Sequence, residues 1–152
     1  MEELSDHLSP RLRLLTNSMT QYMDQQFLQL DLTSTQSLVL HYLALHENEP
    51  VYPKDIEKCF HLTHPTVSGI LQRLEAKGFL TIEPDANDRR CKRVSLTARA
   101  HCCEAAVGSA LHHLDETMTA GMNPTEHETL LRLLDLALAN LKQSKLQEEC
   151  NL

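Results

Sequence analysis

The sequence predicts a mainly α-helical chain with one small two- or three-stranded β element near its middle. Three observations carry this expectation. Apolar residues, chiefly leucine, recur at three- and four-residue spacing along most of the 152 residues. Aromatic residues are only 4% of the chain and tryptophan is absent, so burial rests on aliphatic helix faces rather than on wide sheets. A single segment after Gly78 changes to a period of two. The length suits one core with helical extensions, and a hydrophobic fraction of 41% excludes wholesale disorder.

Ser9 followed by Pro10 predicts the cap and first turn of a long helix with apolar residues at 12, 15, 19, 22 or 23, 27 and 30. Asp31 and Leu32 break it. Thr33 with Gln36 forms a capping box for a second helix reaching about His46, whose Leu38, Leu40, Tyr42, Leu43 and Leu45 are expected to face inward or nearly so. After a surface turn over residues 47–50, Pro53 opens a short helix to about Phe60, with Ile56 and Cys59 or Phe60 as its buried points. Thr63 as cap and Pro65 in the first turn start another helix, which carries Val67, Ile70, Leu71 and Leu74 inward and stops at Lys77 and Gly78. Two helices joined so closely read as a helix-turn-helix.

Residues 79–82 and 91–96 are β-prone, and the polar run between them ends in Asp88, Arg89 and Arg90, so the pair reads as a hairpin with a basic tip. A hairpin directly after a helix-turn-helix makes a winged helix-turn-helix. Thr97 can cap the next helix, which reaches about Met118. Asn123, Pro124 and Glu126 then start a last helix whose Leu130, Leu131, Leu133, Leu134, Leu136, Leu138 and Leu141 cover more than one face. That surplus of apolar surface calls for a partner. The expected organisation is an N-terminal dimerisation helix over 1–32, a winged helix-turn-helix over 33–100 and C-terminal dimerisation helices over 101–152.

Charge is distributed unevenly. Residues 1–50 carry 2 basic and 7 acidic side chains, residues 51–100 carry 9 and 6, and residues 101–152 carry 3 and 8, within a net charge of −7. The locally basic centre can meet a polyanion despite the acidic whole, because association follows the potential of the presented face. The start Met1, Glu2, Glu3 lacks a basic, apolar leader, and no run is long enough to span a bilayer, so a cytoplasmic protein without membrane attachment is expected. Five cysteines, at 59, 91, 102, 103 and 150, include no C-x-x-C and are expected as reduced thiols.

From about Leu30 to Ala100 the chain resembles the MarR family of bacterial winged-helix regulators. Thr66, Val67, Leu74, Glu75, Lys77 and Gly78 look like the family's recognition helix. Asp88, Arg89 and Arg90, followed by Val94, Leu96 and Thr97, look like its wing and the start of its next helix. The resemblance implies a homodimeric transcriptional repressor that binds a pseudo-palindromic operator in double-stranded DNA and loses affinity when a small effector binds or a thiol is oxidised. The sequence departs from the family at Gly69, where a larger and often basic residue is common.

A recognition helix offers its exposed side to the major groove, which points to His64, Thr66, Ser68, Gln72 and Arg73. Arg73 can pair with guanine and Gln72 with adenine. On the wing, Arg89 or Arg90, preferably Arg90, is expected in the minor groove, with Lys92 and Arg93 on the backbone and Asp88 orienting an arginine. No nucleophile, base and orienter stand at motif spacing and no phosphate loop is present, so an enzyme is not expected.

Sensing is less defined by sequence. Nine histidines, with His41, His46, His101, His112 and His113 as candidate ligands together with Cys102 and Cys103, keep a zinc-responsive regulator as an alternative, although they form no compact ligand motif. Cys91, in a cationic stretch, and Cys102 and Cys103 are the candidate redox positions. Tyr22, Met23, His41, Tyr42 and His46 are candidate lining residues for the small aromatic or lipophilic effector that the family resemblance implies. No obligatory cofactor is expected. A winged module that binds protein instead of DNA is the remaining alternative.

Overall fold

The structure, a computed structural model, describes residues 7–150, with side chains described to Ser144. The elements run α1 (Leu8–Phe27), a 3-10 turn (Leu28–Leu30), α2 (Ser34–Leu45), α3 (Pro53–Phe60), α4 (His64–Ala76), β1 (Leu80–Pro84), β2 (Lys92–Leu96), α5 (Ala98–Thr119) and α6 (Pro124–Cys150). The chain divides into two compact units, Met1–Leu114 and Asp115–Leu152, with the division falling inside α5.

In the first unit, α1 buries Met23 and Phe27 and leaves Leu8, Leu14 and Leu15 exposed. It begins one residue before the expected Ser9 cap, with His7 at the N-cap and no side-chain capping bond. Pro10 is therefore the third helical residue, where a missing N–H is harmless because the first-turn donors lack helical partners. Asp31 turns the chain in the left-handed region at φ 54°. The Thr33–Gln36 capping box then starts α2, and Asp24 Oδ1 accepts from the Ser34 N–H at 2.7 Å, tying α1 to the start of α2.

The buried face of α2 is Gln36, Ser37, Val39, Leu40 and Leu43. Leu38 and Leu45, expected inside, are exposed. The inward arc has turned toward Ser34 and Ser37, whose polarity is satisfied locally because Ser37 Oγ donates to the Ser34 carbonyl at 2.8 Å. Cys59 is likewise exposed rather than core. The eight-residue α3 buries only Ile56 completely, and Phe60 is half-buried.

Helix α4 buries Val67, Ile70, Leu71 and Leu74 as the spacing requires. Its end is closed by Gly78 at φ 76°, a left-handed value that glycine adopts without steric cost. The wing is a two-stranded antiparallel sheet in register from Leu80 opposite Leu96 to Pro84 opposite Lys92. A third strand is reduced to one residue, Val51, whose carbonyl accepts from the Val94 N–H at 2.9 Å. Thr97 caps α5 as expected: its Oγ1 accepts from the Ala100 N–H and donates to the Gly78 carbonyl.

In the second unit, Asn123 and Glu126 form the predicted reciprocal cap of α6. Leu131, Leu133, Leu136, Leu138 and Leu141 along that helix stand exposed in the single chain. Among the described residues, no helix is long and apolar enough to cross a membrane.

Candidate nucleic-acid interface

Because α4 turns Val67, Ile70, Leu71 and Leu74 inward, the opposite arc is left to Thr66, Gln72 and Arg73, all exposed, and to Ser68 and Gly69, which are partly exposed. Thr66 and Arg73 share one flank at seven-residue spacing and Ser68 and Gln72 the other at four, with Gly69 between the flanks. A Cβ at Gly69 would meet nothing within 4 Å. Its glycine therefore answers no packing need inside the chain, although it costs about 1 kcal/mol of helix propensity relative to alanine. Arg73 is not paired with its neighbour Glu75, whose Oε1 instead accepts from the Ile82 N–H at 3.1 Å. His64 is held at the start of α4 by a 2.7 Å contact from Nδ1 to Glu57 Oε1 on α3, which leaves its other ring nitrogen to face outward.

The wing meets the helix-turn-helix in a concavity of about 460 Å³, lined by Lys54, Lys58 and Glu57 of α3, His64 of α4, Tyr52, and Arg90, Cys91 and Lys92 of the wing, among others. The hypothesised contacts His64, Arg90 and Lys92 thus come together there. Lys54 and Lys58 join them, and sequence reasoning passed over both because a lysine on a short helix looks like an ordinary solvated charge. Arg89 is exposed at the tip. Strand alternation sends Arg93 the other way, across from Glu83 and into a separate concavity beside Glu47, Glu49 and Val51.

Asp88 does not hold a guanidinium. Its Oδ1 accepts from the Arg90 N–H at 3.0 Å, so it sets Arg90 through the backbone. The acid at the wing root is Asp85, which sequence reasoning missed. It is buried, with Oδ1 accepting from the Asn87 N–H at 2.8 Å and the Asp88 N–H at 3.2 Å, and Oδ2 accepting from the Tyr52 hydroxyl at 3.0 Å. The Asp-x-Asn-Asp run was the available signal, since aspartate often bonds a backbone N–H two residues on.

These bonds, the Asn87 N–H first and the Tyr52 hydroxyl next, hold the Asp85 carboxyl below the usual carboxylate range, and the same contact raises the Tyr52 phenol. A depressed acid stabilises the fold fully above its ordinary value, about 3.9, and that contribution is lost as pH falls through the lowered one. A raised phenol contributes below about 10 and is lost as pH climbs through its raised value. The wing root is therefore expected to hold across the whole neutral range. A carbon-detected titration should place the Asp85 midpoint below the ordinary aspartate value and should see it rise in Tyr52→Phe. An Asp85 midpoint at the ordinary value would contradict this.

A profile of the MarR family matches residues 30–90. MepR of S. aureus, in complex with DNA, is 30% identical, and the likeness covers 89% of this chain and 96% of that one with a TM-score of 0.83. The chain belongs to the MarR family. The transcription regulator MarR from Oenococcus oeni PSU-1 is 29% identical over 88% of this chain and 99% of its own, with a TM-score of 0.78. BpsR of Bordetella bronchiseptica is 25% identical over 88% and 94%, with a TM-score of 0.76. MarR-family members are transcription regulators, not enzymes, and the winged fold of this chain is theirs.

The MarR-type sensing candidates are dispersed within the chain. The Tyr42 and His46 rings lie 4.2 Å apart between centroids, tilted by 34°, and line a concavity of about 670 Å³ with Pro50, Val51, Tyr52 and Cys59. Tyr22 instead lies 6.3 Å from the His113 ring, His41 Nδ1 lies 3.8 Å from Glu104, and Met23 is in the core. His101 is paired with Glu47 at 3.1 Å. Among the described residues, no three histidine, cysteine, aspartate or glutamate side chains converge as a metal site. Cys59, Cys91, Cys102 and Cys103 are free thiols. Cys91 Sγ lies 3.8 Å from Asp88 Oδ2. Burial pushes the Cys103 thiol up despite nearby Arg99, which disfavours its reactive thiolate.

Proposed function

We propose that this MarR-family chain is a homodimeric, sequence-specific regulator that represses transcription by occupying a pseudo-palindromic operator in double-stranded DNA. The observation that carries this reading is the shared concavity in which the first residue of α4 and the wing's Arg90 and Lys92 stand together. A duplex laid there would meet the exposed side of α4 in its major groove and Arg90 in the adjacent minor groove. MepR, a relative at 30% identity, is known in complex with DNA. Two copies related by a two-fold axis would place their recognition helices roughly 34 Å apart, one turn of the duplex. The organisation that suits this function is an N-terminal pairing helix over 1–32, a reading module over 33–100 and C-terminal pairing helices over 101–152.

Operator affinity is set, in this proposal, by a small aromatic or lipophilic ligand. The adjacent Tyr42 and His46 rings offer an aromatic wall for one, and the DNA binding of BpsR is regulated by 6-hydroxynicotinic acid.

Selection of bound duplexes from random DNA, followed by anisotropy titrations at several salt concentrations, tests the reading. Arg90→Ala should weaken every duplex alike and lower the salt slope by about 1, whereas Arg73→Ala should cost about 1–3 kcal/mol and relax the preference at one position of each half-site. An unchanged slope for Arg90→Ala would remove the wing from the interface.

A further inference from the structure

We propose that the Tyr52–Asp85 hydrogen bond is a positioning device that seats the wing against the start of α3, so that Lys54 and Lys58 join Lys92 along one DNA phosphate track while Arg90 is aimed at the adjacent minor groove. This rests on the DNA-binding reading above and adds two contact residues and a lock to it.

The geometry has three parts. Tyr52 precedes Pro53 at the start of α3, and its backbone is fixed there because its N–H donates to Asp55 Oδ2 at 2.9 Å. Its hydroxyl crosses 33 residues of sequence to reach Asp85, whose other oxygen gathers the Asn87 and Asp88 N–H groups that shape the wing loop. The loop is closed by the Asp85 N–H donating to the Cys91 carbonyl at 2.8 Å, so the chain carrying Arg90 and Lys92 leaves from a root held on both strands.

Charge in the concavity points the same way. Two acids line it, and both are occupied: Asp55 by the Tyr52 N–H and Glu57 by His64 Nδ1. Four cations line it as well. Lys54 and Lys58 sit one helical turn apart on the same face of α3, opposite Arg90 and Lys92. None of the four is in an ion pair among the described residues. Four unpaired cations around one channel suit a polyanion with repeated phosphates, and the first helix of a helix-turn-helix is the one that crosses the DNA backbone.

The test is Tyr52→Phe, which removes one oxygen and leaves the α3 start intact, alongside Lys54→Ala/Lys58→Ala. Anisotropy against the selected duplex across salt concentrations should give about a tenfold loss for Tyr52→Phe and a fall of about 2 in the salt slope for the lysine pair. Tyr52→Phe added to the Arg90→Ala/Lys92→Ala pair should bind no more weakly than that pair alone, because the lock acts through those two wing contacts, while Tyr52→Phe with Arg73→Ala should show the sum of the two losses. Amide exchange at Asn87 and Asp88, measured without DNA, should accelerate in Tyr52→Phe by more than the small fall in global stability accounts for. Wild-type affinity and exchange in Tyr52→Phe, or an unchanged slope for the lysine pair, would overturn the inference and leave the DNA-binding reading standing. A wild-type protein that ignores every duplex would overturn that reading and the phosphate track together, and the DNA-free exchange would then decide the lock by itself.

Discussion

Replacing Leu131 and Leu138 together by glutamate is expected to convert a dimer into monomers and to weaken operator binding by about a hundred- to ten-thousandfold. The magnitude follows from losing the second half-site, whose engagement becomes intramolecular only when two reading modules are linked. Leu131, Leu134, Leu138 and Leu141 recur on one side of α6, and Leu131 and Leu138 are 52% and 48% exposed in the single chain. Each such leucine has on the order of 1 kcal/mol still to gain by burial against a partner. A carboxylate at those positions costs little in an isolated chain, where water already reaches the site, but would have to be desolvated in a pair of facing helices. Sedimentation at micromolar concentration should show the wild type as a dimer and the double variant as a monomer with unchanged helicity. A double variant that stays dimeric would move the pairing surface elsewhere, with the exposed leucines of α1 next in line.

Local signals in the sequence were the most legible. The Thr33–Gln36 box, the Thr97 cap and the Asn123–Glu126 box all close within four residues, so the pattern that announces them also completes them. The inward face of α4 was legible for the same reason, since four apolar residues at helical spacing leave only one arc for the core. Features that depend on distant partners were not. Nothing near Tyr52 announces that its hydroxyl meets Asp85, and the direction of Arg93 depends on the register that sets Lys92 opposite Pro84. The exposure of Leu38, Leu45 and Cys59 follows from which helices pack on which faces, and apolar identity alone cannot decide that. The candidate DNA face therefore divides into a helix set by local spacing and a wing seat set by distant partners.

Phe79→Ala is expected to lower the unfolding free energy by about 3–5 kcal/mol, the usual range for emptying a buried phenylalanine site. Phe79 is 1% exposed and sits where the recognition helix hands over to the wing. Its N–H donates to the Leu74 carbonyl and its own carbonyl accepts from the Thr97 N–H, so one residue ties the end of α4 to the start of α5. The Arg99 guanidinium lies 4.5 Å over the ring and donates to the Lys77 carbonyl at 2.6 Å, serving one of the acceptors left open at the helix end. On the other side, Lys77 Nζ contacts the Asp31 carbonyl and lies 3.4 Å from its carboxylate, anchoring the same joint to the turn after α1. Removing the ring empties the space beneath Arg99 and loosens all three segments at once, whereas Phe79→Leu keeps most of the apolar volume and should lose a smaller part of the stability. Urea unfolding should show a lower midpoint for Phe79→Ala at an unchanged slope. A loss below about 1 kcal/mol, the level of an ordinary surface change, would mean that α4 is held by its leucine face alone and that this joint does not fix the angle at which the helix is offered to DNA.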